Sequence, residues 1–202
     1  MHLAEGVLGF PTLITAAACT AVGVTIGMRR LTTRTLPIAA LFAAVFFLIG
    51  TIHIPVGLGS VHLVLNGLIG LLLGWLAFPV ILIALSLQAL LFSFGGFFVL
   101  GANTLLLAAP AVLVHYTVRP LLKTQPTSSN RQLLAGSMAA TIGIGGATLI
   151  AALMLWSTGQ DAFNGLIGVL AAAQLPVWLI DTAVSALVVT MLARALPEAL
   201  SL

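Results

Sequence analysis

The sequence contains very little charge. Of its 202 residues, 5% are charged and 61% are hydrophobic, whereas soluble domains have about 25% charged residues. With so few charged side chains, a folded chain cannot present a surface that is compatible with water. The composition therefore excludes an ordinary soluble domain and indicates that apolar side chains face lipid. The few bases are not interleaved with aromatic residues in the way that nucleic-acid binding requires. We therefore expect no nucleic-acid partner.

Several other features are missing from the sequence. With one cysteine, Cys19, the chain can form neither an internal disulfide nor a thiolate cluster, so any metal ligands must be nitrogen or oxygen. No Gly-x-x-x-x-Gly-Lys-[Ser/Thr] phosphate loop occurs. We therefore expect no enzyme activity, and ATP hydrolysis would have to come from separate chains. The start carries Glu5 and no Lys or Arg, which is atypical of a cleavable signal peptide, so we expect the mature chain to begin at or close to Met1.

Seven apolar stretches approach the length of a membrane span, which is about 17–25 residues for a helix. The third and fourth are short, so a re-entrant arrangement stays open there. We predict an all-α polytopic membrane protein of about seven transmembrane helices. It forms a single domain over residues 1–202, with an N-terminal metal-binding segment at 1–8 and a cytoplasmic loop at 119–131. The expected spans are residues 9–28, 36–52, 61–76, 80–94, 100–118, 133–156 and 166–192.

The positions of the basic residues predict the orientation. All seven follow the first, fifth or seventh span, and none follows the second, fourth or sixth: Arg29, Arg30, Arg34, Arg119, Lys123, Arg131 and Arg194. Basic loops lie on the cytoplasmic side, so we expect the N-terminus outside and the C-terminus in the cytoplasm of a bacterial or archaeal cell, with the chain in the inner membrane. This orientation places His2, His53 and His62 on the outer side.

Four polar side chains fall within or next to the expected spans: Asn66, Gln88, Asn103 and Asp181. Polar groups at membrane depth are costly and often functional, so we predict that these residues line a polar site. Hydrogen bonds between helices are the alternative. His62 and Asn66 are four residues apart, which predicts that they share one face of the third helix.

Small residues in the first span are spaced for close helix packing. These are Ala17, Ala21, Gly23 and Gly27. They are candidates for docking a partner helix, or for packing against another span of the same chain.

The first two residues form a potential chelator. Because His2 has a large side chain, Met1 should be retained, leaving a free α-amine. The Met1 amine, the His2 backbone nitrogen and His2 Nδ1 can bind a metal in one plane. His62 is the best candidate for a fourth nitrogen, which would complete the square-planar geometry typical of Cu(II) or Ni(II). His53 is a further candidate ligand, or a solvated histidine in a Pro/Gly turn.

These residues also carry a resemblance. Residues 1–8 resemble the start of the CbiM/NikM family, the substrate-binding membrane subunits of cobalt and nickel energy-coupling factor (ECF) transporters. Residues 59–63, 88–96, 101–103 and 175–181 are similar to later family landmarks. The resemblance implies a metal site at Met1, His2 and His62, with Ni²⁺ or Co²⁺ as transported ligand and no cofactor. The implied partners are a transmembrane coupling subunit, ATP-binding subunits and a small accessory membrane subunit. Val61 and His53 depart from the family pattern.

Together these observations predict the substrate-specific subunit of an ECF-type ABC importer, which binds Ni²⁺ or Co²⁺ at the outer face and delivers it inward. Two alternatives remain. One is a membrane metal sensor or scaffold that does not transport. The other is an intramembrane hydrolase using Ser93, although no Gly-x-Ser-x-Gly surrounds that residue. The sequence does not choose between nickel and cobalt.

Overall fold

The computed structural model describes residues 3–52, 54–56, 59–122 and 128–195. This part of the chain is almost entirely helical and confirms the predicted all-α polytopic fold. Two 3₁₀ turns, Gly74–Leu76 and Arg119–Leu122, accompany the regular elements. In chain order these are α1 Phe10–Arg29, α2 Leu36–Thr51, β1 Ile54–Val56, β2 Gly59–Val61, α3 Asn66–Leu73, α4 Ala77–Phe92, α5 Leu100–Thr117, α6 Ser129–Thr158 and α7 Gln160–Ala195.

Most of the helical surface is apolar. Among the described residues, five segments are long and apolar enough to cross a membrane, and α2 is a shorter apolar helix. Large hydrophobic side chains point outward on them, such as Phe10, Leu41 and Leu149. Outward apolar side chains are stable only against lipid. The chain is therefore a multi-pass membrane protein.

The expected third span, residues 61–76, is not a single helix. Strands β1 and β2 form an antiparallel hairpin, residues 62–65 have no regular structure, and α3 has eight residues. That is about 12 Å of helix against a bilayer core of about 30 Å. The backbone accounts for the difference, because Leu65 has φ 48 and Gly74 has φ 56. An α-helix cannot continue through either residue, so α3 begins after Leu65 and ends before Gly74. His62 and Asn66 therefore do not share a helix face, contrary to our prediction.

The chain reverses direction between α3 and α4. Helix α3 runs beside α5 in the same direction, since Asn66 bonds the Leu107 carbonyl and Gly74 lies against His115. Helix α4 runs opposite to α3 and in the same direction as α2, since Leu76 and Leu36 line one groove and Gln88 bonds the Phe47 carbonyl. Residues 66–92 are therefore a hairpin whose first arm is a half-length helix buried at every position.

The basic residues gather at one end of the bundle. Arg30 Nη1 donates to the Tyr116 hydroxyl at 3.5 Å, and Arg194 Nη2 donates to Ser129 Oγ at 3.3 Å. These contacts bring together the ends of α1, α5 and α7 and the start of α6. All six described arginines lie in the last or first turns of helices, or in the turns beside them, at this end. We call it the basic end. That it faces the cytoplasm stays a prediction.

Two further expectations concern α1, where the alternative of packing within the chain holds for two glycines, and the loop after α5. Gly23 and Gly27 of α1 pack within the chain: a Cβ added at Gly23 would lie 2.5 Å from the Phe78 ring, and one at Gly27 would lie 2.6 Å from the Trp75 carbonyl oxygen. They are therefore not available to a partner helix. The loop expected at 119–131 is shorter, because residues 119–122 form a 3₁₀ turn and residues 129–131 belong to α6.

Candidate metal centre

Three of the four histidine and amine positions proposed as ligands, Met1, His2 and His53, lie outside the described residues. His62 is described and half-buried in the irregular stretch 62–65. Its Nδ1 lies 3.1 Å from the Leu63 carbonyl oxygen. A carbonyl can only accept, so Nδ1 carries the proton and the Nε2 lone pair is the one that can coordinate a metal.

The N-terminal segment is held by Asn103 of α5. The Leu3 N–H donates to Asn103 Oδ1 at 2.8 Å, and Asn103 Nδ2 donates to the Leu3 carbonyl at 3.1 Å. Both residues are buried. The side-chain amide thus satisfies both backbone groups of Leu3, as a neighbouring strand would. We call this pair of bonds the Leu3 clamp.

Further contacts hold the rest of this segment. The Phe98 N–H donates to Glu5 Oε1 at 3.1 Å, and the Gly9 N–H donates to Thr158 Oγ1 at 3.2 Å. Gly96 has φ 104, and a Cβ there would overlap the Glu5 carboxylate. The loop before α5 and the end of α6 therefore bracket residues 3–9. Only the acid at position 5 and the paired glycines at 95 and 96 signal this bracket in the sequence.

Asp181 holds the segment that follows His62. Its two carboxylate oxygens accept the N–H groups of Val64 at 3.2 Å and Leu65 at 2.8 Å. These residues immediately precede α3, so the carboxylate caps the positive end of a buried half-helix. Asp181 itself is 1% exposed. We predicted that Asp181 lines a polar site. In the structure it binds backbone N–H groups that lie two and three residues after His62.

The other two predicted lining residues also bond to backbone carbonyls. Asn66 Nδ2 donates to the Leu107 carbonyl at 3.0 Å and to the Gly143 carbonyl at 3.1 Å, joining α3 to α5 and α6. Within the described part of the chain its Oδ1 is buried without a hydrogen-bond partner. Gln88 Nε2 donates to the Phe47 carbonyl at 3.2 Å, which ties α4 to α2. Gln88 and Asn66 therefore bond between helices, as the alternative interpretation expected.

Among the residues that the structure describes, no three His, Cys, Asp or Glu side chains lie close enough together to hold a metal ion. The other predicted donors, at positions 1, 2 and 53, lie outside these residues. Ser93, the residue of the hydrolase alternative, is an exposed residue in the left-handed conformation that ends α4.

Comparison with known proteins also indicates metal transport. Residues 2–199 match the sequence profile of a family described as the cobalt uptake substrate-specific transmembrane region. A Haemophilus influenzae protein whose name assigns it to metal transport is 47% identical over 201 residues, covering 100% of this chain and 97% of that protein. The fused nickel transport protein NikMN of Rhodobacter capsulatus is 32% identical over 160 residues, 76% of this chain and 46% of that longer protein.

Two crystal structures have the same fold. A truncated transition metal transporter superposes with a TM-score of 0.73 at 25% identity, over 98% of this chain and 99% of that one. A second transition metal transporter gives a TM-score of 0.74 at 24% identity, over 96% of this chain and 93% of that chain. The half-length α3 and the hairpin before it thus lie within a fold shared almost end to end.

Proposed function

The chain belongs to the family of cobalt uptake substrate-specific transmembrane regions and is a membrane component of cobalt or nickel transport, and on this premise we propose that it is the substrate-specific subunit of an ECF-type importer. In this proposal Ni²⁺ or Co²⁺ binds at the outer face to the Met1 amine, the His2 amide and imidazole nitrogens, and His62 Nε2. The ion is then delivered inward. ATP hydrolysis comes from separate partner subunits coupled through a second membrane subunit.

The observation that carries the proposal is the Leu3 clamp. Asn103 fixes the backbone of Leu3 inside the bundle, and two residues of chain reach at most about 7 Å from there. Donors at positions 1 and 2 are thus tethered by the chain to the residue that Asn103 holds. A tethered donor set loses less entropy than free donors when it closes around an ion.

The Asp181 contacts support the fourth ligand. Val64 and Leu65 are tied to a buried carboxylate, and the His62 ring is oriented by its Nδ1–H bond to the Leu63 carbonyl. Proteins usually orient a metal-binding histidine through a hydrogen bond donated by the ring nitrogen that does not coordinate the metal.

Four nitrogen donors of this kind would favour Ni²⁺ over hard cations. Mg²⁺ and Ca²⁺ bind oxygen ligands, and both carboxylate oxygens of Asp181 near His62 already accept the N–H groups of Val64 and Leu65. Binding would release protons, because the amine and the amide must be deprotonated to coordinate. We therefore expect affinity to rise with pH across the ordinary α-amine pKa of about 7.7–8.0.

Metal stoichiometry and visible absorption of purified, C-terminally tagged protein test the site. Wild type is compared with His2→Ala, with His62→Ala, and with a long N-terminal extension that converts the amine to a peptide bond. A one-residue extension is unsuitable, because it creates a different chelate with His at position three. We expect one Ni²⁺ or Co²⁺ per chain with a planar-site spectrum, lost in all three variants.

His115→Asn provides the matched control, because it removes a histidine at the basic end and leaves the proposed site intact. Normal binding by the extended protein would contradict the N-terminal chelate. Metal uptake by cells that carry this chain with and without its partner subunits tests transport separately. A chain that binds metal but supports no uptake with its partners is a sensor or scaffold.

A further inference from the structure

The basic end of the bundle contains a cavity remote from the proposed metal site. Its volume is about 240 Å³, and its lining includes Arg30, His115, Arg119 and Thr35. None of its lining residues is acidic. Two arginines therefore line one open cavity without a carboxylate among its walls, which is the charge pattern of an anion site.

The geometry holds both arginines in place. Arg119 Nη1 donates to His115 Nε2 at 3.2 Å, so His115 is neutral with its proton on Nδ1. Arg30 lies 5.8 Å from the centre of the Trp75 ring, and its Nη1 donates to the Tyr116 hydroxyl, which also accepts Trp75 Nε1–H at 2.9 Å. These contacts use one N–H of each guanidinium, and an arginine has five. The remaining donors can bind phosphate oxygens.

A second, apolar groove adjoins this cavity. It has a volume of about 410 Å³ and lies between α2 and α4, with Leu36, Ala40, Ala44, Ile83 and Leu87 among its lining residues. Leu76 lines both spaces. The groove follows α2 from Leu36 to Ala44, about 12 Å into the membrane. Small side chains on α2 leave this space open.

A basic cavity joined to an apolar groove at the membrane surface matches one kind of ligand. We propose that this composite site binds an anionic phospholipid, with the headgroup phosphate between Arg30 and Arg119 and one acyl chain along α2. A free phosphate would use only the cavity, and a partner helix would use only the groove. The shared wall at Leu76 is what joins the two. Basic pockets between transmembrane helices are known to bind anionic lipid headgroups.

Native mass spectrometry of the full-length protein in detergent tests this site. The protein is titrated with dioleoyl phosphatidylglycerol and with dioleoyl phosphatidylcholine, and the lipid-bound fraction is measured. We expect one phosphatidylglycerol to be retained in preference to phosphatidylcholine. Arg30→Gln/Arg119→Gln should weaken its retention about 10-fold to 30-fold, as expected for the loss of two basic contacts. Ala40→Phe, which fills the groove, should weaken it about as much.

Matched variants control for general effects. Arg34→Gln removes an exposed base at the same end, and Leu41→Phe adds a ring to the outward side of α2, where Leu41 is 61% exposed. Neither residue lines the cavity or the groove, so both should bind as wild type. Arg119→Lys keeps the charge and should retain most of the preference. Thermal unfolding of each variant shows whether the bundle is intact.

The proposal requires both losses, so wild-type retention in either the double arginine variant or Ala40→Phe overturns it. Equal retention of the two lipids overturns it as well. Displacement by inorganic phosphate or glycerol 1-phosphate at the lipid's own concentration would identify a free-phosphate site instead. If Ala40→Phe keeps phosphatidylglycerol but no longer copurifies with a coupling subunit, the groove is a protein docking surface.

Discussion

At the scale of single residues, buried side chains that look alike in the sequence have different roles. Asn66, Gln88, Asn103 and Asp181 all lie at membrane depth, and each bonds to backbone groups. Asn66 and Gln88 join helices. Asn103 and Asp181 instead hold irregular backbone, the N-terminal segment and the stretch before α3. Unsatisfied backbone groups are costly in lipid, so these two residues make the non-helical parts of the molecule stable.

Asn103→Ala should release the N-terminal segment. The substitution leaves the N–H and carbonyl of Leu3 buried without partners, at a cost of about 1–3 kcal/mol for each group. We expect Ni²⁺ or Co²⁺ affinity to fall about 10-fold or more while the helices stay folded, measured by equilibrium dialysis and circular dichroism. Thr104→Val is the control, because within the described part of the chain the Thr104 hydroxyl bonds the Leu100 carbonyl of its own helix. Unchanged affinity in Asn103→Ala would mean that the clamp does not position the donors.

Asp181→Asn should destabilise the start of α3. Each carboxylate oxygen now accepts a different N–H group, and the amide nitrogen that replaces one of these oxygens can only donate. We expect a loss of about 1–3 kcal/mol, seen as earlier unfolding in denaturant, together with weaker metal binding through His62. Ser185→Ala, also on α7, removes a buried hydroxyl that has no hydrogen-bond partner in the described part of the chain. It should unfold like wild type, and equal stability of both variants would contradict a capping role for Asp181.

At the scale of elements, the half-helix α3 is the part of the fold that the sequence does not reveal. Hydropathy predicted the bounds of α1, α2 and α5 to within one residue, because each is a single apolar run between polar or glycine-rich turns. Residues 61–76 are just as apolar, yet only 66–73 form α-helix. Apolarity reports burial and not backbone conformation, and no local pattern reveals that Leu65 adopts a left-handed φ or that an aspartate 116 residues later binds its N–H.

Glycines in α3 permit its close contact with two other helices. A Cβ at Gly70 would overlap the Ala111 carbonyl of α5, and one at Gly67 would overlap the Ala139 carbonyl of α6. Because backbone atoms cannot move aside as a side chain can, Gly70→Ala should prevent stable folding in spite of the better helix propensity of alanine. Gly145→Ala, on an exposed part of α6 with nothing within 4 Å of the added Cβ, should be neutral or slightly stabilising. Monodispersity by size-exclusion chromatography separates the two outcomes. A monodisperse Gly70→Ala protein would show that α3 can shift.

At the scale of the whole molecule, the positions of the basic residues agree with the directions in which the helices run. The helices alternate in direction, with α3 and α4 as a hairpin, and the described arginines lie at one end. The candidate metal centre was less predictable than this arrangement. Its histidines and polar residues could be named from their residue types. The backbone groups that Asn103 and Asp181 bond could not, because they lie about 100 residues away along the chain.

Cysteine labelling checks the orientation of the bundle. In a Cys19→Ser background, cysteine is placed at Glu5 or at Arg131, both exposed and at opposite ends of the bundle. With the N-terminus outside, a membrane-impermeant maleimide should label Glu5→Cys in intact cells, or in spheroplasts where an outer membrane is present. It should label Arg131→Cys only after the inner membrane is permeabilised. The reverse pattern would invert the topology and place the proposed metal site in the cytoplasm.

The Leu3 clamp also determines the order in which the protein can be made. Its two residues are 100 positions apart, so the end of the chain that leaves the ribosome first cannot dock until α5 has been synthesised and inserted. During that interval the anchor that will hold Leu3 does not yet exist. A nascent chain stalled before position 103 would carry the residues of the proposed N-terminal chelator without the asparagine that holds Leu3. In the proposed function, completion of the metal site is therefore a late event of biogenesis, although its N-terminal residues are translated long before Asn103.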